Sequence, residues 1–216
     1  MTEAQRLACT RPIEMLAHLR GRCTDRKLRL FACACCRQIW HLLTDAISQR
    51  AVEVAERHAD GEASDQELEA AWLDAERFFG STCSYGTSTG NQAARAASTA
   101  ADPRVSFLPH MYQLSFQYMS EEWPAHIRLL RCVFGNPFSP VPFAPTWRTA
   151  AVLPLARAAY EERAPAAGTL DNARLAVLAD ALEEVSCTDE AVLSHLRGSG
   201  PHVRGCWCVD LALGKE

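Results

Sequence analysis

The residues of this sequence that could do the most chemistry are its ten cysteines. Thiols in this number can form disulfides, hold metal ions or act as nucleophiles, and their spacing favours one chemistry over another. Cys33 and Cys36 lie three residues apart in an amphipathic segment, so a helix projects both thiols to one side. The ten are Cys9, Cys23, Cys33, Cys35, Cys36, Cys83, Cys132, Cys187, Cys206 and Cys208.

A zinc site is the first chemistry that these thiols suggest, because zinc is held by four thiolate or imidazole ligands in a tetrahedron. Such a site has three cysteines and one histidine, or two of each, and it ties the first and last thirds of the chain together. The paired spacing of zinc fingers is missing, so the alternative is that the cysteines are reduced and buried as small apolar side chains. The candidate ligands are Cys33, Cys36, His202 and Cys206, with Cys187 or His195 as further candidates.

A thiol nucleophile is the second chemistry. His202, Cys206 and Asp210 are spaced four residues apart, so a helix through all three aligns them on one face. A thiol in the first helical turn has a lowered pKa, His202 can take its proton, and Asp210 can orient the imidazole. However, a helical stripe is not a pocket, and the neighbouring Trp207 and Val209 indicate packing rather than catalysis.

The elements that must position these residues are predicted to be helical nearly throughout. Helix starts at Thr10, Thr24 or Asp25, Asp45 and Ser64, joined by short connections, predict an N-terminal bundle over residues 10–80. Residues 80–90, GSTCSYGTSTG, are predicted to be a flexible connector.

Beyond the connector, residues 136–147 hold four prolines, which predicts a stiff strap that cannot continue a helix. Its aromatic side chains, Phe138, Phe143 and Trp147, are expected to hold the strap on a hydrophobic body. Helices follow over residues 149–214, with Pro154 straining or restarting the first. The sequence therefore predicts an all-α, single-domain protein in which the N-terminal bundle and the C-terminal helices pack together across the strap.

Two segments of the chain repeat one pattern. Cys9-Thr10 precedes a helix that ends in His-Leu-Arg-Gly at residues 18–21, and Cys187-Thr188 precedes a helix with the same ending at residues 195–198. Both features are common at helix ends: a buried cysteine often precedes an N-cap residue, and a cationic last turn is often followed by glycine. Duplication of a short helical unit and coincidence therefore both stay open.

The composition excludes several classes of function. A net charge of −4 gives no electrostatic case for nucleic-acid binding, and no apolar run is long enough to cross a bilayer. The first twelve residues lack the apolar core of a secretory signal, so we expect a cytoplasmic protein with reduced thiols rather than disulfides.

The blocks MTEAQRLACTRPIEML, DRKLRLFACACCRQIWHLLTD, LLRCVFGNPFSPV, LADALEEVSCTD and PHVRGCWCVDLALGKE resemble those of a large paralogous family of planctomycete bacterial proteins. Residues 163–174, RAPAAGTLDNAR, depart from that pattern, which usually has a shorter run there. The resemblance supplies no catalytic residues. It implies only a bacterial cytoplasmic protein whose two ends belong to one unit.

The leading functional hypothesis from the sequence is a non-catalytic interaction or adaptor protein with a protein partner. Its basis is that the helical segments bring no obvious catalytic cluster together, while large aromatic residues are available for a binding face. The alternatives are a zinc-binding protein with a structural Cys/His site, and a cysteine-dependent enzyme that uses Cys206, His202 and Asp210.

Overall fold

The structure is a computed structural model that describes residues 2–19, 21–82, 89–104 and 123–215. These residues form eleven α-helices, and apart from two isolated bridges they contain no β-structure, so the predicted all-α class is confirmed. None of these helices is both long enough and apolar enough to cross a bilayer. The chain divides into two compact units, Met1–Ile127 and Arg128–Glu216, called here the first and second units. The predicted single domain stays a prediction.

The first unit is built on four helices that pack against one another, α3 to α6, after two short N-terminal helices. Sequence caps fix several starts: the side chain of Thr24 accepts from the Lys27 amide, and that of Asp45 accepts from the Ser48 amide. The helices are α1 (Glu3–Ala8), α2 (Pro12–Leu19), α3 (Asp25–Gln38), α4 (Ala46–Ala59), α5 (Asp65–Thr82) and α6 (Thr89–Ala101).

A buried ion pair joins α3 to α4. The Arg37 guanidinium donates to both carboxylate oxygens of Glu56, over 3.0 and 2.9 Å, and both side chains are only 6% exposed. The same guanidinium lies over the Trp40 ring, 4.0 Å from its centroid. Because removing one partner of a buried pair leaves the other charge uncompensated, this contact constrains how α3 and α4 pack.

The second unit begins within helix α7 (Trp123–Phe134) and continues through four more helices. Helix α9 packs against both α8 and α10, and α11 packs against α8. Its core is made of fully buried aliphatic side chains such as Leu175, Leu178 and Leu182, all on one face of α9. The helices are α8 (Val152–Glu161), α9 (Asn172–Glu184), α10 (Glu190–Arg197) and α11 (Trp207–Leu213).

The proline-rich strap has no α-helix between residues 136 and 147, as its prolines predict. A single 3-10 turn closes it at Pro145–Trp147. The Phe143 and Trp147 rings meet edge to face with 5.1 Å between centroids, and Arg148 lies over Phe143. Phe138, Phe143 and Trp147 are each half-buried rather than fully buried.

Three predicted boundaries are wrong. Residues 80–82 and 89–90 of the predicted connector are helical, and residues 83–88 lie outside the described residues. Proline is tolerated in a first turn, where its missing N–H has no helical partner, so α8 begins at Val152 and Pro154 does not interrupt it. The last helix begins only at Trp207, because Gly205 has a φ of +84° that ends any regular helix before it.

Candidate metal centre

Four thiol and imidazole side chains of the second unit converge on one point, with their ligand atoms all within 4.8 Å of one another. One is on α7, one in the last turn of α10, one in the loop between α10 and α11, and one immediately before α11. Three of the side chains are buried and the α10 imidazole is half-buried. Within the described part of the chain this group can hold a metal ion. Its members are Cys132, His195, His202 and Cys206.

Two distances in the group are close to those of a zinc tetrahedron. Zn–S bonds of about 2.3 Å and Zn–N bonds of about 2.0 Å place ligand atoms roughly 3.3–3.8 Å apart in a tetrahedron. His195 Nε2 lies 3.3 Å from Cys206 Sγ, and His202 Nδ1 lies 4.0 Å from the same sulfur. The two imidazole rings are perpendicular, with centroids 4.8 Å apart. Small side-chain rotations are therefore enough to place all four atoms on one ion.

His202 is held with one ring nitrogen free of a proton on the side of the cluster. Its Nε2 is 3.1 Å from the Gly198 carbonyl oxygen, which can only accept, so Nε2 must carry the hydrogen. In the neutral ring Nδ1 then offers its lone pair toward Cys206. A metal-bound histidine almost always donates its other N–H in this way, which fixes the tautomer and the ring orientation.

The backbone around His202 is fixed from two directions. The His202 carbonyl accepts from the Leu170 amide over 2.9 Å, and a bridge joins Val203 to Thr169. Gly200 has a φ of +81°, and a Cβ there would lie 2.8 Å from the backbone nitrogen of His202. Only glycine fits this position, so the loop that presents the ligand depends on it.

The two cysteine ligands are brought together where α7 ends and α11 begins. Gly135 follows α7 with a φ of +56°, and a Cβ at this position would lie 3.0 Å from the Trp207 ring. The missing side chain lets Trp207, the first residue of α11, pack on the end of α7. Cys132, in the last turn of α7, is therefore next to Cys206, which precedes Trp207. Trp207 also lies 5.3 Å from the His195 ring.

The protonation states of the metal-free cluster are coupled. The hydrogen bond to Cys206, together with burial, raises the pKa of the Cys132 thiol well above its ordinary value. Burial alone would raise the pKa of Cys206, but hydrogen bonds from Cys132, His195 and His202 lower it well below the ordinary value. In the metal-free cluster the lowered pKa of Cys206 favours its thiolate, which accepts from Cys132, His195 and a protonated His202. A metal ion would take the place of these protons and bind the same thiolate, with His202 in its neutral form.

The sequence found part of this group. The structure brings together His202 and Cys206, which were candidate ligands, and His195, which was a further candidate. Cys132 was missed, because it lies far upstream among the apolar residues of α7 and no short spacing connects it to the loop. The group does not include Cys33, Cys36 or Cys187.

Those three cysteines are buried in other surroundings. The Cys33 thiol faces the Val52 carbonyl of α4 at 3.8 Å. Burial raises the pKa of Cys36 to about 12, so that its thiol stays protonated at neutral pH. Cys187, between α9 and α10, donates its amide to the Leu182 carbonyl, and burial raises the pKa of its thiol.

The helix predicted to align the nucleophile triad is not formed. His202 lies in the loop, and α11 starts after Cys206, so the three residues do not share a helical face. His202 and Cys206 are nevertheless neighbours. The ring nitrogens of His202 face Gly198 and Cys206, so the orienting group is a backbone carbonyl rather than the predicted Asp210.

A cavity of about 250 Å³ adjoins the cluster. Its wall includes three of the four cluster side chains and reaches the exposed residues Ser194, Ser199 and Arg128, so it opens to solvent. Cys206 is not part of the wall. The cluster is thus approached from the side of Cys132, His195 and His202.

Comparisons with known proteins add no family to this description. No protein-family model matches the chain, and neither a curated protein nor a solved structure matches it.

Proposed function

We propose that this protein binds one zinc ion in its second unit, through Cys132, His195, His202 and Cys206, as a structural centre. The observation that carries the proposal is the convergence of the four ligand atoms within 4.8 Å of one another. The ligands come from α7, α10, the loop and the residue before α11, so one ion connects segments that are distant in sequence.

The ligand set favours zinc over other common ions. Two thiolates and two imidazoles in a tetrahedron suit zinc, whereas magnesium and calcium require oxygen ligands. Four protein ligands fill the tetrahedron and leave no position for a reactive water, which is typical of a structural rather than a catalytic site. The hydrogen bond from His202 to Gly198 supplies the outer support that such ligands require.

Elemental analysis of the purified full chain, combined with cobalt substitution, tests this proposal. We expect about one zinc per chain, and we expect bound cobalt to show the absorption bands of a tetrahedral site with thiolate ligands. His195→Ala is the first variant, because His195 is half-buried and its removal disturbs the core least.

Cys208→Ser is the matched control. Cys208 is two residues beyond Cys206 and equally buried, but its thiol faces the Val192 carbonyl at 3.8 Å and it is not in the cluster. The control should keep its zinc and its cobalt bands, while His195→Ala should retain much less of both. A wild-type chain without zinc after reconstitution would contradict the proposal, and so would equal retention in both variants.

The adaptor role, the cytoplasmic location and the planctomycete family stay predictions from the sequence. The large apolar side chains that are exposed among the described residues are Leu7, Ile47 and Val177, which are isolated along the chain. Single exposed apolar residues are normal on protein surfaces. An affinity pull-down that retains a specific protein would support the adaptor role, and one that retains nothing would remove it.

A further inference from the structure

The two sulfur atoms of the cluster are direct neighbours. Cys132 donates a hydrogen bond to Cys206, and around a zinc ion their sulfurs would lie roughly 3.8 Å apart. A disulfide needs a separation of about 2.05 Å, so bringing the sulfurs into bonding distance takes about 2 Å of movement. Both cysteines are at helix ends that meet where Trp207 packs against Gly135.

One of these cysteines, Cys132, is buried but lines a cavity that opens to solvent. The cavity beside the cluster includes Cys132 in its wall and reaches the exposed Ser194 and Ser199. Its volume of about 250 Å³ is several times the roughly 30 Å³ that a water molecule takes up in the liquid. A small peroxide can therefore enter and meet Cys132 first, while Cys206 lies behind it.

Given the proposed zinc centre, on which this inference rests, we propose that Cys132 and Cys206 are a site of reversible oxidation by hydroperoxides. Oxidation joins the two sulfurs in a disulfide and releases the metal. The site is thus a modification site as well as a metal site, and its substrate class is hydrogen peroxide or a small organic hydroperoxide.

The reaction balances in two steps. The Cys132 sulfur attacks one peroxide oxygen, the O–O bond breaks, and Cys132 becomes a sulfenic acid while hydroxide leaves and is protonated to water. The Cys206 sulfur then attacks the Cys132 sulfur, so that the S–S bond forms, the S–O bond breaks and a second water leaves. One hydrogen peroxide is reduced to two waters by two electrons, and each cysteine loses one. Only the two imidazoles then remain for zinc, which dissociates.

Three other described cysteines differ from this pair in ways that disfavour their oxidation. Cys208 is buried against the Val192 carbonyl and does not line the cavity. Cys23 is half-exposed, but burial and the nearby Asp25 raise the pKa of its thiol to about 11, so it is protonated and slow to react at neutral pH, whereas a bound metal would hold Cys132 as a thiolate. Cys35 is fully buried in α3.

The experiment uses the full chain loaded with zinc, with its zinc content measured before any oxidant is added. Hydrogen peroxide is then added, zinc release is followed with a zinc-sensitive dye, and disulfides are mapped by mass spectrometry after alkylation. We expect one zinc released for each Cys132–Cys206 disulfide, and rebinding of zinc after reduction with a dithiol. Cys132→Ser should give no such disulfide, while the control Cys208→Ser should behave as the wild type.

The outcomes separate this inference from the proposed function. A chain that holds no zinc before oxidation contradicts the zinc centre itself. A chain that holds zinc, and keeps it after peroxide treatment, overturns only the oxidation site. The oxidation site is also overturned if the disulfide that forms joins other cysteines, or if Cys132 is carried irreversibly to the sulfinic acid without pairing.

Discussion

Free zinc should raise the melting temperature of the second unit by an amount that linkage predicts. A ligand that binds only the folded state at 100 times its dissociation constant stabilises that state by about 2.7 kcal/mol. The second unit runs from Arg128 to Glu216, and for a unit of this size 1 kcal/mol changes the melting temperature by about 4–8 °C. We therefore expect a rise of about 10–20 °C in the transition that reports on this unit.

Removing one ligand should abolish most of this rise. Structural zinc sites have binding free energies of about 10–16 kcal/mol, so one of four ligands corresponds to roughly 3 kcal/mol, or about a hundredfold in affinity. At the same free zinc concentration, His195→Ala is then about half saturated. Its stabilisation falls to about 0.4 kcal/mol, which is about 2–3 °C.

The assay is thermal unfolding of the full chain, followed by circular dichroism in zinc buffered with a chelator. Cys206→Ser repeats the test on a buried ligand, and Cys208→Ser controls for loss of a buried thiol outside the cluster. An unchanged melting temperature of the wild type across the zinc range would refute the reasoning. An equal rise in the wild type and His195→Ala would show that zinc binds elsewhere.

Three further predictions concern the scaffold. Burial lowers the pKa of His126 to about 4 from 6.5. The stability that the neutral imidazole provides, up to about 3 kcal/mol, is therefore complete above pH 6.5 and should be lost as the pH falls to 4. Urea unfolding in the presence of a metal chelator should show this loss in the wild type and not in His126→Gln. Glu56→Ala leaves a buried arginine of α3 without its carboxylate, and urea unfolding should show a loss of about 3–5 kcal/mol. Gly135→Ala should be less stable and bind zinc more weakly, because the added Cβ would meet the Trp207 ring. The control is Gly61→Ala, which also has a positive φ, +75°, but has open space around it, so it should lose stability and keep its affinity for zinc.

Much of the fold could be predicted because it depends on local interactions. Thr24 and Asp45 cap α3 and α4 as their positions before amphipathic segments indicate. The amphipathic segment around Cys33 and Cys36 forms α3, whose apolar residues pack against both α4 and α6. Where the prediction was wrong, as at the start of α11, glycine backbone angles decided the boundary, and these depend on tertiary packing.

The Cys/His cluster could be predicted only in part, because its residues come from different segments. His202 and Cys206 are four residues apart, so their proximity follows from the chain itself. Cys132 joins them only because α7 ends at a glycine that admits the Trp207 ring. No local pattern contains that contact. Cys33, by contrast, was predicted to join this group only because it is a thiol, and no sequence pattern showed that it lies near the other residues.

The two copies of the repeated pattern differ in the structure, because among the described residues only the second contributes to the Cys/His cluster. In both copies a helix ends just before Cys-Thr, and the next helix carries histidine in its last turn, in α2 as His18 and in α10 as His195. In the first copy Cys23 follows the final glycine of the pattern almost at once and donates to the Leu19 carbonyl, while His18 contacts Arg22. In the second copy a longer loop comes before Cys206.

That longer loop has two consequences. It brings in His202 as an additional imidazole, and it carries Cys206 back to within 3.3 Å of His195. The second copy thus contributes three residues to the cluster, His195, His202 and Cys206, and Cys132 of α7 is the fourth. The length of the loop after the helix, rather than the histidine that both copies share, is therefore what brings the Cys/His cluster together in this fold.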